Sequence, residues 1–146
     1  MVSKLKLLNL AAIFTLVVAA LHLGCIVFGA EWYRFLGAGE QMAQLAENDD
    51  PYPTIVTSLI VLVLLAWSAY AFSGAGKIFK LPLLRTGLCL ISIILLTRAF
   101  GFYFIMSAFP ENSLTFWFVS SGLCFILGSS YALGIKQSWQ YLCDKA

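Results

Sequence analysis

Two ionisable side chains, His22 and Arg98, lie deep in apolar sequence. An arginine near the centre of a transmembrane helix costs about 2.5–3.5 kcal/mol on the insertion scale, so it normally faces other helices and finds a partner there. The chemistry open to this pair is anion binding. Arg98 would hold an anionic group by charge-assisted hydrogen bonds, and His22 would titrate or hydrogen-bond beside it. A purely structural alternative stands next to this: Arg98 pairs with Glu31 or Glu40, and His22 bonds a neighbouring hydroxyl. Thr57 and Ser58 in one apolar stretch, and Ser120 and Ser121 in another, could line the same layer. They could equally let helices approach closely and bond their own backbone. Glu31 and Arg34 have the three-residue spacing of a helical ion pair. Such a pair is ordinarily a solvated surface feature. The sharper alternative folds this segment over the mouth of the protein as a lid and brings Glu40 toward Arg98. The candidate ligand-binding residues are therefore Arg98, His22, Glu31, Glu40, Thr57, Ser58, Ser120 and Ser121, with no catalytic residue among them.

Other chemistries find no support. The four cysteines, Cys25, Cys89, Cys124 and Cys143, form no Cys-x-x-Cys pair, so a membrane thiol oxidoreductase is not indicated. One histidine with scattered cysteines gives no metal site. Haem ligation would lack a second axial histidine, and no cofactor is expected. No phosphate loop, serine elbow or dinucleotide fingerprint is present. The net charge of +2 is spread along the edges of apolar runs, which gives no nucleic-acid footprint.

The elements that must position these residues are four apolar stretches: 7–30, 54–72, 82–109 and 114–135. A hydrocarbon core roughly 30 Å thick takes about 20 helical residues to cross, and each stretch meets that. Hydrophobic residues make up 61% of the 146-residue chain and charged residues 11%. Mean hydropathy is +0.90. In hydrocarbon the backbone must satisfy its own hydrogen bonds, so each span should be an α-helix. The expected fold is all-α: an up-down-up-down bundle of four transmembrane helices forming one domain over 1–146.

The first span reads as helix from about Leu5. Thr15, Ala19, His22, Cys25 or Ile26, and Gly29 share its smaller, more polar face, which should look into the bundle. Glu31-Trp32-Tyr33-Arg34-Phe35 suits a headgroup level. Gly37-Ala38-Gly39 should break the helix. Glu40 to Glu47 then reads as a short interfacial helix, with Met42, Leu45 and Ala46 toward the membrane and Gln41, Gln44 and Glu47 toward water. A turn over 48–53 follows. Glycines in 73–77 stop the second span, Pro82 opens the third, and Asn112 or Ser113 caps the fourth. The short link between the third and fourth spans makes them antiparallel neighbours. Gly128 with Ala132, and Ser130 with Gly134, have the spacing of a packing face. The string Gly37-Ala38-Gly39-Glu40 resembles Gly74-Ala75-Gly76-Lys77, and chance use of glycine as a helix stop explains the likeness better than an internal repeat.

Charge sets the expected orientation. Lys4 and Lys6 precede the first span, Lys77, Lys80 and Arg85 surround the second connection, and Lys136 and Lys145 follow the fourth span. The other two connections hold Arg34 alone against Glu31, Glu40, Glu47, Asp49, Asp50 and Glu111. By the positive-inside rule both termini face the cytoplasm and the acidic loop faces outward. A cleaved signal peptide is the competing reading, but the first apolar run exceeds an h-region of about 7–15 residues.

Three segments carry a resemblance: Tyr33-Arg34-Phe35-Leu36-Gly37-Ala38-Gly39-Glu40, Tyr70-Ala71-Phe72-Ser73-Gly74-Ala75-Gly76 and Leu81-Pro82-Leu83-Leu84-Arg85. Through them the first two-thirds of the chain resembles a group of small four-span bacterial inner-membrane proteins. The resemblance implies a bacterial inner membrane and no particular reaction. Three function classes follow from the whole reading. The leading one is a non-enzymatic membrane component that binds a partner membrane protein or forms a homo-oligomer within the lipid bilayer. The second is a carrier or binder of a small anionic or lipid-like ligand in a polar pocket open to the outer face. A membrane enzyme is last, because no nucleophile–base constellation is visible.

Overall fold

The structure is a computed structural model and describes residues 6–110 and 112–144. Lys4, Glu111 and Lys145, which entered the charge reading, lie outside the described residues. Six α-helices run in order: α1 (Lys6–Phe28), α2 (Ala30–Phe35), α3 (Glu40–Glu47), α4 (Pro51–Gly74), α5 (Leu84–Ile105) and α6 (Leu114–Asp144), with a 3₁₀ turn at Met106–Ala108 after α5. Four of them, α1, α4, α5 and α6, are long and apolar enough to cross a bilayer. The chain is a membrane protein with an all-α, four-helix bundle.

The bundle is two close antiparallel pairs set side by side. α1 packs along α4 and α5 along α6, while α1–α6 and α4–α5 make the lesser contacts. α1 and α5 therefore occupy opposite corners. Leu8 at the start of α1 lies against Gly74 at the end of α4 and Gly134 in the second half of α6. That shared end confirms the alternating direction of the helices. It carries Lys6, Lys77, Lys80, Arg85 and Lys136, and is called here the basic end. The opposite, acidic end carries α2 and α3.

Between helices in lipid, apolar burial gives little net drive, so close packing over small residues must hold them. Ala11, Ala12 and Ala19 of α1 and Ala71 of α4 are buried. A Cβ on Gly134 would sit 2.9 Å from the Leu8 side chain, and one on Gly128 2.9 Å from Leu96. Gly128 thus lies against α5 and Gly134 against α1. Thr15, Ala19 and Cys25 of the expected inner face of α1 are buried, whereas His22 is only half-buried.

Boundaries follow local chemistry. Gly29 (φ 71°) turns the chain between α1 and α2, so the first span stops at Phe28 rather than Ala30. Three helices end in the same six-to-one pattern of backbone bonds. Gly37 closes α2 (Ala38 N–H to Tyr33 O, 2.9 Å), Asp49 closes α3 (Asp50 N–H to Leu45 O, 2.9 Å) and Gly76 closes α4 (Lys77 N–H to Phe72 O, 2.9 Å). Each of the three has positive φ, as this termination requires. In Gly37-Ala38-Gly39 both glycines have positive φ (74° and 97°), whereas in Gly74-Ala75-Gly76 only the last does (69°), so the strings do different work.

α4 begins at Pro51, inside the expected turn. The Asp50 carboxylate accepts the Tyr52 N–H at 2.8 Å and Pro51 fills the first helical position, where its missing N–H costs nothing. α5 begins two residues beyond Pro82, after Leu83 in a left-handed conformation (φ 51°). Ser113 caps α6, its hydroxyl accepting the Phe116 N–H at 3.1 Å. α6 continues nine residues past Ile135. Tyr131, Ile135, Ser138 and Leu142 carry the buried stripe onward at helical spacing.

Candidate functional site

Arg98 stands on α5, ten residues before Ala108, which is about 15 Å below that end of the span at 1.5 Å per residue. It is half-buried against α6. Nη1 donates to Ser121 Oγ at 3.3 Å and Nη2 to Ser120 Oγ at 3.4 Å. Both bonds are long for a charged donor. The guanidinium carbon lies 5.0 Å from the centroid of the Trp117 ring, within cation–π range. Ser120 donates its own proton to the Trp117 carbonyl at 3.3 Å, which leaves its lone pairs to Arg98. Trp117, Ser120 and Ser121 fall on one side of α6 at spacings of three and four residues, and Ser121 and Trp117 are buried. Of the residues singled out in the sequence, the structure brings Arg98, Ser120 and Ser121 together here. Trp117 completes it.

The remaining candidates go elsewhere. His22 sits on α1, at the opposite corner from α5, and its Nδ1–H donates to the Val18 carbonyl one turn back at 2.8 Å. Its partner is a backbone oxygen rather than a neighbouring hydroxyl. Thr57 is buried and bonds the Tyr33 hydroxyl at 3.0 Å, tying α2 to α4. Ser58, the next residue, is half-buried.

Glu31 and Glu40 are held by Arg34, not by Arg98. Arg34 faces Glu40 with Nε (3.0 Å) and Nη2 (2.7 Å), a bidentate pair, and reaches Glu47 (2.7 Å) and Glu31 (3.2 Å) with Nη1. The expected Glu31–Arg34 pair is present, and two further carboxylates join it. α2 and α3 do fold onto the ends of α1 and α4, burying Tyr33, Cys25 and Ala43 together. Yet Glu40 is spent on Arg34 within the cap. Arg34 holds the Glu40 and Glu47 carboxyls below the usual carboxylate range, chiefly by hydrogen bonding. Met42 and Ala46 pack inward with Ala43, while Gln41, Gln44 and Glu47 face out.

A second polar node lies in the bundle centre, and the sequence reading missed it. Tyr131 of α6 is fully buried, and its hydroxyl lies 3.1 Å from both the Thr15 hydroxyl of α1 and the Trp67 carbonyl of α4. Thr15 also reaches the Ala11 carbonyl at 2.8 Å. Two hydroxyl protons serve three contacts, so only two of the three can be hydrogen bonds at one time. Beside it Ser68 donates to the Ala12 carbonyl at 2.9 Å. Little signal for it was available in the sequence, because Tyr131 lies four residues from the end of the apolar stretch 114–135, near the level where tyrosines of membrane helices usually gather. Among the described residues no buried side-chain polar atom lacks a hydrogen bond, and no group of three or more His, Cys, Asp or Glu could hold a metal ion. Comparison of the chain with protein-family models, with curated proteins and with solved structures finds no match.

Proposed function

We propose that this chain is a non-enzymatic membrane component that docks a partner membrane protein on the acidic-end half of its α5–α6 face, with Arg98 receiving an acidic side chain of that partner. The observation that carries the reading is the company Arg98 keeps among the described residues: two hydroxyls at long range, one indole face, and no carboxylate. A guanidinium at that depth is poorly compensated by neutral oxygens alone. The spans 7–30, 54–72, 82–109 and 114–135 contain no Asp or Glu, so a second copy of the chain offers no carboxylate at that depth. A different protein can. Phe104 (82% exposed) and Phe118 (64%) stand on the same two helices as rigid apolar anchors for such a partner.

The dispersal of His22, Thr57 and Ser58 away from Arg98 favours docking over capture of a small anionic ligand in an enclosed pocket. No nucleophile–base pair favours catalysis. The same reading sets the chain in a bacterial inner membrane with the basic end, and so both termini, in the cytoplasm. The bias of Lys and Arg toward that end supports it. A reporter active only in the cytoplasm, fused after Ala146, should be active.

Photo-crosslinking residues placed at Phe104 and Phe118, with Leu62 on α4 as control, test the docking. One protein of defined mass should be captured from the α5–α6 positions and not from Leu62. Capture should survive Arg98→Lys and be lost in Arg98→Gln. Adducts to lipid alone, or capture indifferent to Arg98→Gln, would overturn the proposal.

A further inference from the structure

The basic end holds two adjoining clefts. The larger, about 600 Å³, is walled by Lys80, Leu81, Pro82, Leu83, Arg85 and Leu142. The smaller, about 250 Å³, shares Lys80 and Leu142 and reaches in to Ser73 and Tyr141. One wall is the connection between α4 and α5, and it is pinned in place. Ser73 Oγ accepts the Leu81 N–H and donates to the Phe79 carbonyl, both at 3.0 Å, and the Tyr70 hydroxyl donates to the Pro82 carbonyl at 3.2 Å. The other wall is the extension of α6 beyond Ile135. That extension also fixes Arg85, whose guanidinium stacks 4.7 Å from the centroid of the Trp139 ring and donates to Cys143 Sγ at 3.2 Å.

Charge and apolar surface meet at this place. Among the described residues, five of the seven Lys and Arg lie at the basic end: Lys6, Lys77, Lys80, Arg85 and Lys136. Around the cleft Phe79 (77%) and Leu83 (78%) are among the most exposed apolar side chains of the molecule. They sit where helices give way to connection, at the level where acyl chains meet headgroups. A basic pocket between transmembrane helices at that level fits an anionic headgroup, and bare apolar side chains beside it fit the first acyl carbons.

We infer that this cleft seats an anionic phospholipid, with Lys80 and Arg85 binding its phosphate oxygens and its glycerol and upper acyl carbons lying along Leu81, Leu83 and Leu142. Arg85 presents a planar fork to the phosphate and Lys80 a mobile point charge. The mostly apolar walls select a lipid over a soluble phosphate. This site is separate from the Arg98 seam and does not depend on how that seam is used.

Native mass spectrometry of the full chain, released from micelles doped with dioleoylphosphatidylglycerol or dioleoylphosphatidylcholine, tests the inference. The wild-type chain should retain the glycerol lipid in preference to the choline lipid. In the Lys80→Gln/Arg85→Gln variant that retention should fall about 30-fold, from about 1 kcal/mol for each cation near the surface. The Lys77→Gln/Lys136→Gln variant removes the same charge outside the cleft and should retain the lipid nearly as well as wild type. Equal losses in the two variants would overturn the site, as would displacement of the lipid by millimolar inorganic phosphate. Lys80→Gln alone changes one exposed side chain, so it keeps the test decisive if the double variant fails to fold. About half of the logarithmic loss should remain, and no loss would overturn the inference.

Discussion

At the acidic end Arg34 is gripped by Glu31, Glu40 and Glu47, with contacts as short as 2.7 Å, and about a third of its side chain is still open to solvent. Farther down the bundle Arg98 is set in a transmembrane helix with contacts of 3.3 and 3.4 Å to two serines. The arginine that needs compensation least has three carboxylates, and the one that needs it most has none among the described residues. In water-exposed surroundings each ion pair contributes little, and three carboxylates on one guanidinium mainly fix the geometry of a cap. In hydrocarbon an uncompensated cation is expensive and persists where something outside the chain uses it. The difference separates a structural cluster from a functional candidate without any appeal to sequence motifs.

The strongest way to break that contrast is Arg98→Leu. If Arg98 is kept for a partner, the isolated chain should improve, with the third span inserting more favourably by roughly 3 kcal/mol. A glycosylation reporter on the full chain would read that as a higher inserted fraction. A lower inserted fraction would mean that Trp117, Ser120 and Ser121 alone account for Arg98, and the two arginines would then be alike.

Arg34→Met probes the other side of the comparison. It leaves three carboxylates facing one another over the α2–α3 cap. Hydrogen exchange over 31–47 should rise several-fold while the central turns of α1 and α4 keep their protection, because a surface cluster governs only local opening. Loss of protection throughout the bundle would show that the cap holds the helices together.

How far each region was legible in the sequence follows the same division. The four spans and the cap helix at Glu40–Glu47 were readable, because hydropathy and glycine stops act locally. The start of α4 was hidden by Pro51 and Pro53, which look like turn residues until Asp50 is seen to cap the helix. The continuation of α6 was hidden because Lys136 and Gln137 end the apolar run without ending the helix. The Arg98 seam was partly readable, since Ser120 and Ser121 lie at the right depth on the neighbouring span. His22 has that depth too, yet it is on the opposite corner. Depth along an axis can be counted from sequence, whereas angular position around a bundle depends on which helices pair. For the same reason the alternative that carried Glu40 toward Arg98 stayed open beside the solvated loop, when Arg34 in the same segment holds Glu40.

Acid separates the two arginines by a different route. Glu40 and Glu47 are ionised in the folded cap at a pH below their ordinary value of 4.5. Their contribution is therefore fully present above about pH 4.5 and is lost as pH falls through the lowered folded values. Amide exchange over 40–47, corrected for its intrinsic pH dependence, should rise between pH 5 and pH 3 (an order-of-magnitude window from the usual carboxylate range). The Arg98 seam has no carboxylate to protonate, so the neighbouring amides of α5 and α6 should not respond. A parallel response in both places would mean that the cap and the seam open together.

The smallest expected effect falls on the serines. An interhelical hydrogen bond in a membrane bundle is worth about 0.6 kcal/mol on average, and the two bonds from Arg98 are long. Ser121→Ala removes a buried hydroxyl, Ser120→Ala a half-buried one that also returns its proton to the backbone of its own helix. Each should lower the stability of the purified chain by less than about 1 kcal/mol, measured by reversible unfolding in mixed micelles. The double variant should do little more than the sum if the serines act only as separate acceptors. If they instead form the principal counterweight to the guanidinium, removing both leaves the charge with Trp117 alone, and the double variant should cost clearly more than the two single ones together. A large excess in that cycle would turn Arg98 from a docking group into a packing one, the single outcome that would make its surroundings sufficient without a partner.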